Sequence, residues 1–319
     1  MSEESDFISG LRHLASQPAA RGLLDDAAVL EFGGRNLVLT HDMIVEGVHF
    51  LPGDPPEDVA WKLMAVNLSD LAAKGAVPVG VLLGYSLTAE DEWDAGFVRG
   101  LGAAIHSFKA PLLGGDTVSA PPRTPRVLGL TAIGEAEGKV PSRSGAKAGD
   151  TIWVSGTIGD AGAGLRVAIG ELPGPAALVA RYRRPQPRLQ LGQALAPLVT
   201  AMMDVSDGLL IDAARLAEAS ALSCRIELLD VPLSQELIAL CGEDRQARVD
   251  AAIAGDDYEL LFTAAPEKEG EIQAVSASLS LPLTPVGRLE AGQGISVAYG
   301  GLEQPLPPRL GYEHGTPRG

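Results

Sequence analysis

Cysteine is nearly absent: the 319 residues include only Cys224 and Cys241. Neither has metal-ligand spacing, which removes a disulfide scaffold and a thiolate zinc site. Both are expected to be buried thiols of a reducing compartment. Aromatic residues make up 4% of the chain, so its cores must be built from Ala, Val, Leu and Gly, as in tightly packed α/β proteins. Positive charge is in short supply. With 25 Lys and Arg against 41 Asp and Glu, the formal charge is −16. That balance argues against nucleic acid and anionic membrane surfaces as partners, yet permits an anionic substrate that arrives with metal ions. No apolar run approaches the roughly 18 residues of a membrane span. The start, Met1-Ser-Glu-Glu-Ser-Asp6, is acidic where a secretory signal is basic, so the expected setting is cytoplasmic.

What is present suits two domains. Nearly half the residues are hydrophobic, and the length is large for one core. Asp6 to Ser16 reads as a short helix. Leu37 to Leu39 starts a strand whose end delivers Thr40, His41 and Asp42, followed by Glu46-Gly-Val-His-Phe50. Glu57 to Lys74 reads as a helix that is apolar nearly all round and therefore buried, although Asn67, Ser69 and Asp70 interrupt it. A buried carboxylate needs a partner. Lys74, at i+4 from Asp70, is one candidate; a metal ion is the other. Val79–Leu87 and Arg126–Ala136 read as strands around a helix from Glu90 to Phe108. A short strand, Pro111–Leu113, leads into Gly114-Gly-Asp-Thr117, where glycine N–H groups can meet phosphate oxygens. The segment 134–150 reads as a junction, giving domains 1–138 and 139–319.

In the second half, Thr151–Ser155 is a strand feeding a glycine-rich turn. It lacks the G-x-G-x-x-G order of a dinucleotide site, and no Walker A loop occurs. Ala201–Met203 runs into Asp204-Val-Ser-Asp-Gly208, where Ser206 or Asp207 is a candidate N-cap for the helix that follows. Gly255-Asp-Asp-Tyr258 again sets carboxylates beside glycine at the head of an apolar strand. Asp26, Asp42, Asp70, Asp116 and Asp204 thus share a setting: element ends or buried faces, small neighbours, no basic partner apparent nearby. Clustered carboxylates suit a hard cation such as Mg²⁺ shared with substrate phosphates. With glycine loops and no nucleophile, they suggest phosphoryl transfer by positioning and charge neutralisation. A cation-binding structural protein is the non-enzyme alternative.

Eight motifs in register carry a resemblance: Asp25-Asp26-Ala, Asp42 with Glu46-Gly-Val-His-Phe50, Asn67-Leu-Ser-Asp-Leu-Ala-Ala-Lys-Gly75, Gly114-Gly-Asp-Thr117, Ser142-Arg-Ser-Gly145, Ser155-Gly-Thr-Ile-Gly-Asp160, Asp204-Val-Ser-Asp-Gly208 and Gly255-Asp-Asp-Tyr-Glu-Leu260. Together they resemble the thiamine-monophosphate kinase family, from about residue 6 to 314. The resemblance implies a two-domain PurM-like α/β fold of the aminoimidazole ribonucleotide synthetase-like superfamily. Its N-terminal ATP- and Mg-binding domain would pair into a barrel-like homodimer interface. The implied partners are ATP and thiamine monophosphate, the implied cofactor is several Mg²⁺ ions, and the implied reaction is direct in-line transfer. The implied metal ligands are Asp26, Thr40, Asp42, Asp70, Asp116, Asp204 and Asp207. Gly115, Asp116, Arg143 and Ser206 would contact ATP, and His49, Asp256 and Tyr312 the thiamine phosphate. Two positions depart from the family pattern: His41 replaces a threonine, and Asp256 replaces a frequent glutamate.

Overall fold

The apolar helix at Pro56–Ala73 is the body on which the N-terminal half is assembled. Every residue from Val59 to Ala73 is buried. The fold is described from a computed structural model that covers residues 3–87, 90–121 and 123–313. The N-terminal half runs α1 (Glu3–Leu11), β1 (Ala28–Phe32), β2 (Arg35–Val45), α2 (Pro56–Ala73), β3 (Val77–Leu87), α3 (Asp91–Phe108), β4 (Leu112–Ser119) and β5 (Val127–Ala136). The C-terminal half runs β6 (Thr151–Ser155), α4 (Asp160–Ala168), α5 (Ala176–Arg183), α6 (Leu189–Leu195), β7 (Ala201–Asp204), α7 (Leu209–Ala219) and β8 (Ser223–Glu227). It continues through α8 (Gln235–Cys241), α9 (Arg245–Ala252), β9 (Leu260–Ala264), α10 (Glu269–Leu279), β10 (Leu283–Glu290), β11 (Gly294–Tyr299) and β12 (Leu302–Gln304).

The first sheet has the order β1-β2-β5-β3-β4, antiparallel except for the parallel pair β3–β4. Strand alternation divides its side chains between two faces. Val38, Ile44, Leu128, Leu130 and Ala132 pack in one core with Leu63, Met64, Leu68 and Leu71 of α2. Leu37, Leu39, Met43 and Ile133 fall on the opposite face, which no helix among the described residues covers; Met43 is 50% exposed. β4 is an edge strand exposed along its whole length, with Leu112, Leu113 and Val118 open to solvent.

The second sheet has the order β12-β11-β8-β10-β6-β9-β7, with β8–β11 its parallel pair. Ile152, Val154, Met203 and Leu261 pack with α7 in one core. Trp153, Met202 and Phe262 pack with Leu191, Leu195 and Ile272 in another, which also takes in Ala72 and Ala73 from the end of α2. The two halves therefore share this helix. Gly192 makes the approach possible, because a Cβ there would lie 1.9 Å from the Ala72 carbonyl oxygen.

Several local expectations need correction. The strand carrying Thr40, His41 and Asp42 does not end there but runs to Val45, because β5 pairs with it throughout. Gly114-Gly-Asp-Thr117 is not a loop: parallel pairing with β3 extends it into β4. Neither Ser206 nor Asp207 caps α7, whose N-cap is Gly208. Cys224 is buried, but Cys241 is exposed at the end of α8.

Candidate active site

Three carboxylates from distant parts of the chain converge. Asp26 precedes β1, Asp70 lies in α2 and Asp204 ends β7. One ligand oxygen from each lies within 4.8 Å of the others, and among the described residues this is the group placed to hold a metal ion. Each is positioned by local chemistry. β1 pairs with β2 only as far as Leu39, which leaves that edge of β2 open beyond it. There the Asp42 N–H donates to Asn67 Oδ1 at 2.9 Å, tying the strand to α2. The Thr40 hydroxyl donates to Asp70 Oδ2, and Ser69 Oγ donates to Asp204 Oδ2 at 2.5 Å. Asn67, Ser69 and Asp70 of the buried helix thus tie it to β2 and β7 around the trio.

Contrary to the expectation of no basic partner, Asp26 has two. Arg143 Nε and Nη2 both lie 2.5 Å from its Oδ1. Lys74 Nζ lies 2.5 Å from its Oδ2 and 2.5 Å from Asp25 Oδ1. So Lys74 serves Asp25 and Asp26 and is not Asp70's partner. Lys74 and Arg21 outweigh the burial of Asp25 and pull its carboxyl down to about 2. Asp26 Oδ2 is buried and meets Lys74 as an ion pair. One carboxylate oxygen from each of Asp26, Asp70 and Asp204, all within 4.8 Å of one another, fits a hard divalent cation with oxygen ligands.

The electrostatics agree. Burial, then Asp42, Asp204 and Asp26, raise the Asp70 carboxyl well above its usual range, against the Thr40 hydrogen bond. Burial and Asp26 push Asp204 up to about 8, opposed by Ser69 and Arg143. Burial also raises Asp42, with Asp26 and Asp207 adding to it and His41 opposing. Burial alone would lower the Arg143 guanidinium, but Asp26, Asp212 and Asp204 outweigh it.

This predicts a pH dependence for the metal-free protein. An Asp ordinarily titrates near 4. Raising the folded-state value to about 8 means that the protonated form stabilises the fold. That contribution is complete below about pH 4, fades as pH rises, and is gone above about 8. Thermal melts in chelator should therefore fall between pH 5 and 8. Excess Mg²⁺ should flatten the decline, because the ion replaces the protons. A chelator melt that rose over this range would contradict the cluster.

The remaining expected residues are dispersed around the trio. Asp207 is held by Arg215, and its N–H donates to Asp212 Oδ2 at 3.0 Å. The Tyr312 N–H donates to the Asp207 carbonyl at 2.9 Å, which draws the C-terminal segment over this loop. The Ser206 carbonyl accepts from Asp256 N–H at 2.8 Å, so the two glycine-flanked loops interlock. Gly255 is required there, since a Cβ would lie 2.7 Å from Ser206 O. His49 Nδ1 accepts from Val45 N–H at 3.0 Å, which leaves the proton of the neutral ring on Nε2. Asp256 Oδ2 meets Lys62 Nζ at 2.8 Å. His41 lies on the uncovered face, 2.9 Å from Thr131 Oγ1, and not beside Thr40. Gly115 and Asp116 sit on β4, three strands from β2. At the usual strand spacing that is about 14 Å, so a single chain does not bring Asp116 to the trio.

Sequence reasoning missed Lys62 and the buried Glu259. Glu259 binds Arg188, Arg181 and Ser155 and so holds α5 and α6 against β9. Lys62 carried one signal, a charge inside an otherwise apolar run; Glu259, behind Asp256 and Asp257, carried none of that kind.

AIR synthase related protein models match the chain in two parts, the N-terminal domain over residues 24–136 and the C-terminal domain over 147–300. The thiamine-monophosphate kinase of Caulobacter vibrioides is 40% identical, over 93% of this chain and 86% of its own. The chain belongs to the thiamine-monophosphate kinase family. Among solved structures, AaThiL complexed with AMPPCP and TMP superposes with a TM-score of 0.85 at 31% identity, covering 98% of this chain and 97% of that one. The thiamine-monophosphate kinase of Stenotrophomonas maltophilia K279a gives 0.78 at 39% identity, covering 94% and 96%. The family's two-domain fold is the one described above. No helix among the described residues is long and apolar enough to cross a membrane.

Proposed function

We propose that the protein transfers the γ-phosphoryl group of ATP to thiamine monophosphate, giving thiamine diphosphate and ADP. The observation that carries this reading is the buried trio Asp26, Asp70 and Asp204. Its similarity to a structure described with AMPPCP and TMP supports the choice of substrates. In a direct in-line transfer, an oxygen of the acceptor phosphate bonds to the γ-phosphorus. The bond from that phosphorus to the β-bridging oxygen breaks, and ADP leaves with its electron pair. The acceptor oxygen is already anionic, so the site must manage charge more than move a proton.

Asp26, Thr40, Asp42, Asp70, Asp204 and Asp207 would hold Mg²⁺, which supplies neutralisation of the charge on the transferring group. Arg143, which is bound to Asp26 in this structure, and Ser206 would flank the nucleotide phosphates. His49, Asp256 and Tyr312 form the acceptor end. Gly115 and Asp116 complete the site of a second copy in a homodimer. The uncovered apolar face of Leu37, Leu39, Met43 and Ile133 and the bare edge of β4 support that pairing. The domain boundary at 138/139 falls between the two matched segments, and the proposed setting is the cytoplasm.

An ADP-release assay tests the reading. Thiamine monophosphate with Mg²⁺ should support turnover. Free thiamine, which lacks the anionic acceptor, should be at least roughly a hundredfold slower. Equal rates with the two acceptors would overturn it.

A further inference from the structure

Lys62 is a charge in the wrong place for a core helix. It lies on α2 with its side chain 2% exposed. A buried ammonium is tolerated only when its donors are matched, and these are. Nζ donates to the His49 carbonyl at 2.8 Å and to Asp256 Oδ2 at 2.8 Å, and lies 4.1 Å from the centre of the Tyr182 ring. The Tyr182 hydroxyl donates to Asp54 at 3.1 Å, and Asp54 also accepts from the Leu51 N–H. One atom of the N-terminal helix therefore gathers the 46–54 turn and loop 255–258 from the other half.

The contact with Asp256 has a second half. Asp256 is a non-glycine residue at φ 73, and Tyr258, two residues on, is at φ 52. That conformation is uncommon for non-glycine residues, most so for a bulky one such as Tyr258. The Asp256 backbone is fixed by its N–H to Ser206 O. Its carboxylate is fixed by Lys62 and by the Tyr258 hydroxyl, which donates to Oδ1 at 3.3 Å. The carboxylate remains 28% exposed while the ammonium is sealed. Lys62 thus grips it from behind and leaves its outer side free for a ligand.

We propose that Lys62 is a positioning residue for the acceptor substrate: it sets the Asp256 carboxylate and the His49 turn at the distance that thiamine monophosphate requires. This rests on the reading of His49 and Asp256 as acceptor contacts. Lys62 touches no residue of the Asp26, Asp70 and Asp204 trio, so its effect is confined to the acceptor.

The test is a double-mutant cycle on the full-length protein with Lys62→Met, Asp256→Asn and their combination. Lys62→Met should raise the KM for thiamine monophosphate about tenfold, the scale of one lost charge-assisted hydrogen bond. The KM for ATP should stay within about twofold. Added to Asp256→Asn, it should raise the acceptor KM by less than about twofold more, because the two act as a unit. Lys62→Gln, which keeps a donor for His49 O and loses the charge, serves if the methionine variant does not fold. Equal changes in both KM values would reduce Lys62 to a structural ion pair, and full additivity would mean that it does not act through Asp256; either result overturns the proposal. If Asp256→Asn alone leaves the acceptor KM unchanged, the acceptor-site reading itself has failed.

Discussion

Asp70→Asn should nearly abolish turnover while making the metal-free protein at least as stable as the parent. Asp70 is closed off from solvent and faces Asp42, Asp204 and Asp26, which together with burial hold its carboxyl well above its usual range. In chelator, Asn removes the need to keep a proton there. It still accepts from Thr40, which donates to Asp70. The gain should grow with pH, as the charge that the variant lacks would otherwise develop, to roughly 1 kcal/mol after screening. With Mg²⁺ the order reverses, because a central oxygen ligand is gone. Loss of several kcal/mol of transition-state charge neutralisation corresponds to about a thousandfold or more in rate. Paired melts with chelator and with excess Mg²⁺, plus one turnover assay, decide the matter. A variant that melts lower in chelator and still turns over ATP would remove Asp70 from the metal site.

Lys74→Met should have the largest effect on stability. The ammonium is completely buried and lies 2.5 Å from both Asp25 and Asp26; it also donates to Met202 O at 3.2 Å. Breaking a buried ion pair by removing one partner typically costs about 3–5 kcal/mol, since the stranded charge remains. Arg21 and Arg143 still reach Asp25 and Asp26, which favours the lower end. In a chain of this size that is on the order of 10 °C in chelator. Mg²⁺ should recover most of the loss, because a divalent ion supplies the missing charge. The Mg²⁺-induced rise in melting temperature should thus be larger in Lys74→Met than in the parent, with half-saturation at lower Mg²⁺. An equal or smaller rise would mean that Lys74 and the ion do not share the same carboxylates.

The parts of the site that were legible in the sequence are those specified by short spacing. An apolar run interrupted by Lys62, Asn67, Ser69 and Asp70 announced a buried helix whose polar residues need partners. The glycine-flanked aspartates at 204–208 and 255–258 announced carboxylates at element ends, but not that the two loops interlock. What escaped was pairing over long separations. Arg143 reaches Asp26 across 117 residues, and Lys74 reaches back 49 residues to Asp25. A local i+4 rule could only offer Lys74 to Asp70. Gly114 to Thr117 looked like a loop because parallel pairing with β3 leaves no mark on the strand itself. Cys241 was misplaced because a hydrophobic residue at a helix end lies inside or outside according to packing that no window of residues contains.

One feature of α2 constrains how such a protein can change. Lys62, at the proposed acceptor end, and Asp70, in the proposed metal trio, are eight residues apart on one unbroken helix, about 12 Å along its axis. On that reading the helix is a ruler between the two halves of the reaction. A substitution along it can be offset by a neighbour. A single insertion or deletion between these residues cannot, because it turns one end against the other by about 100° and carries Lys62 from Asp256 or Asp70 from Asp204. Length variation compatible with activity is therefore confined to the loops, and over residues 62–70 the residue count is itself a functional quantity.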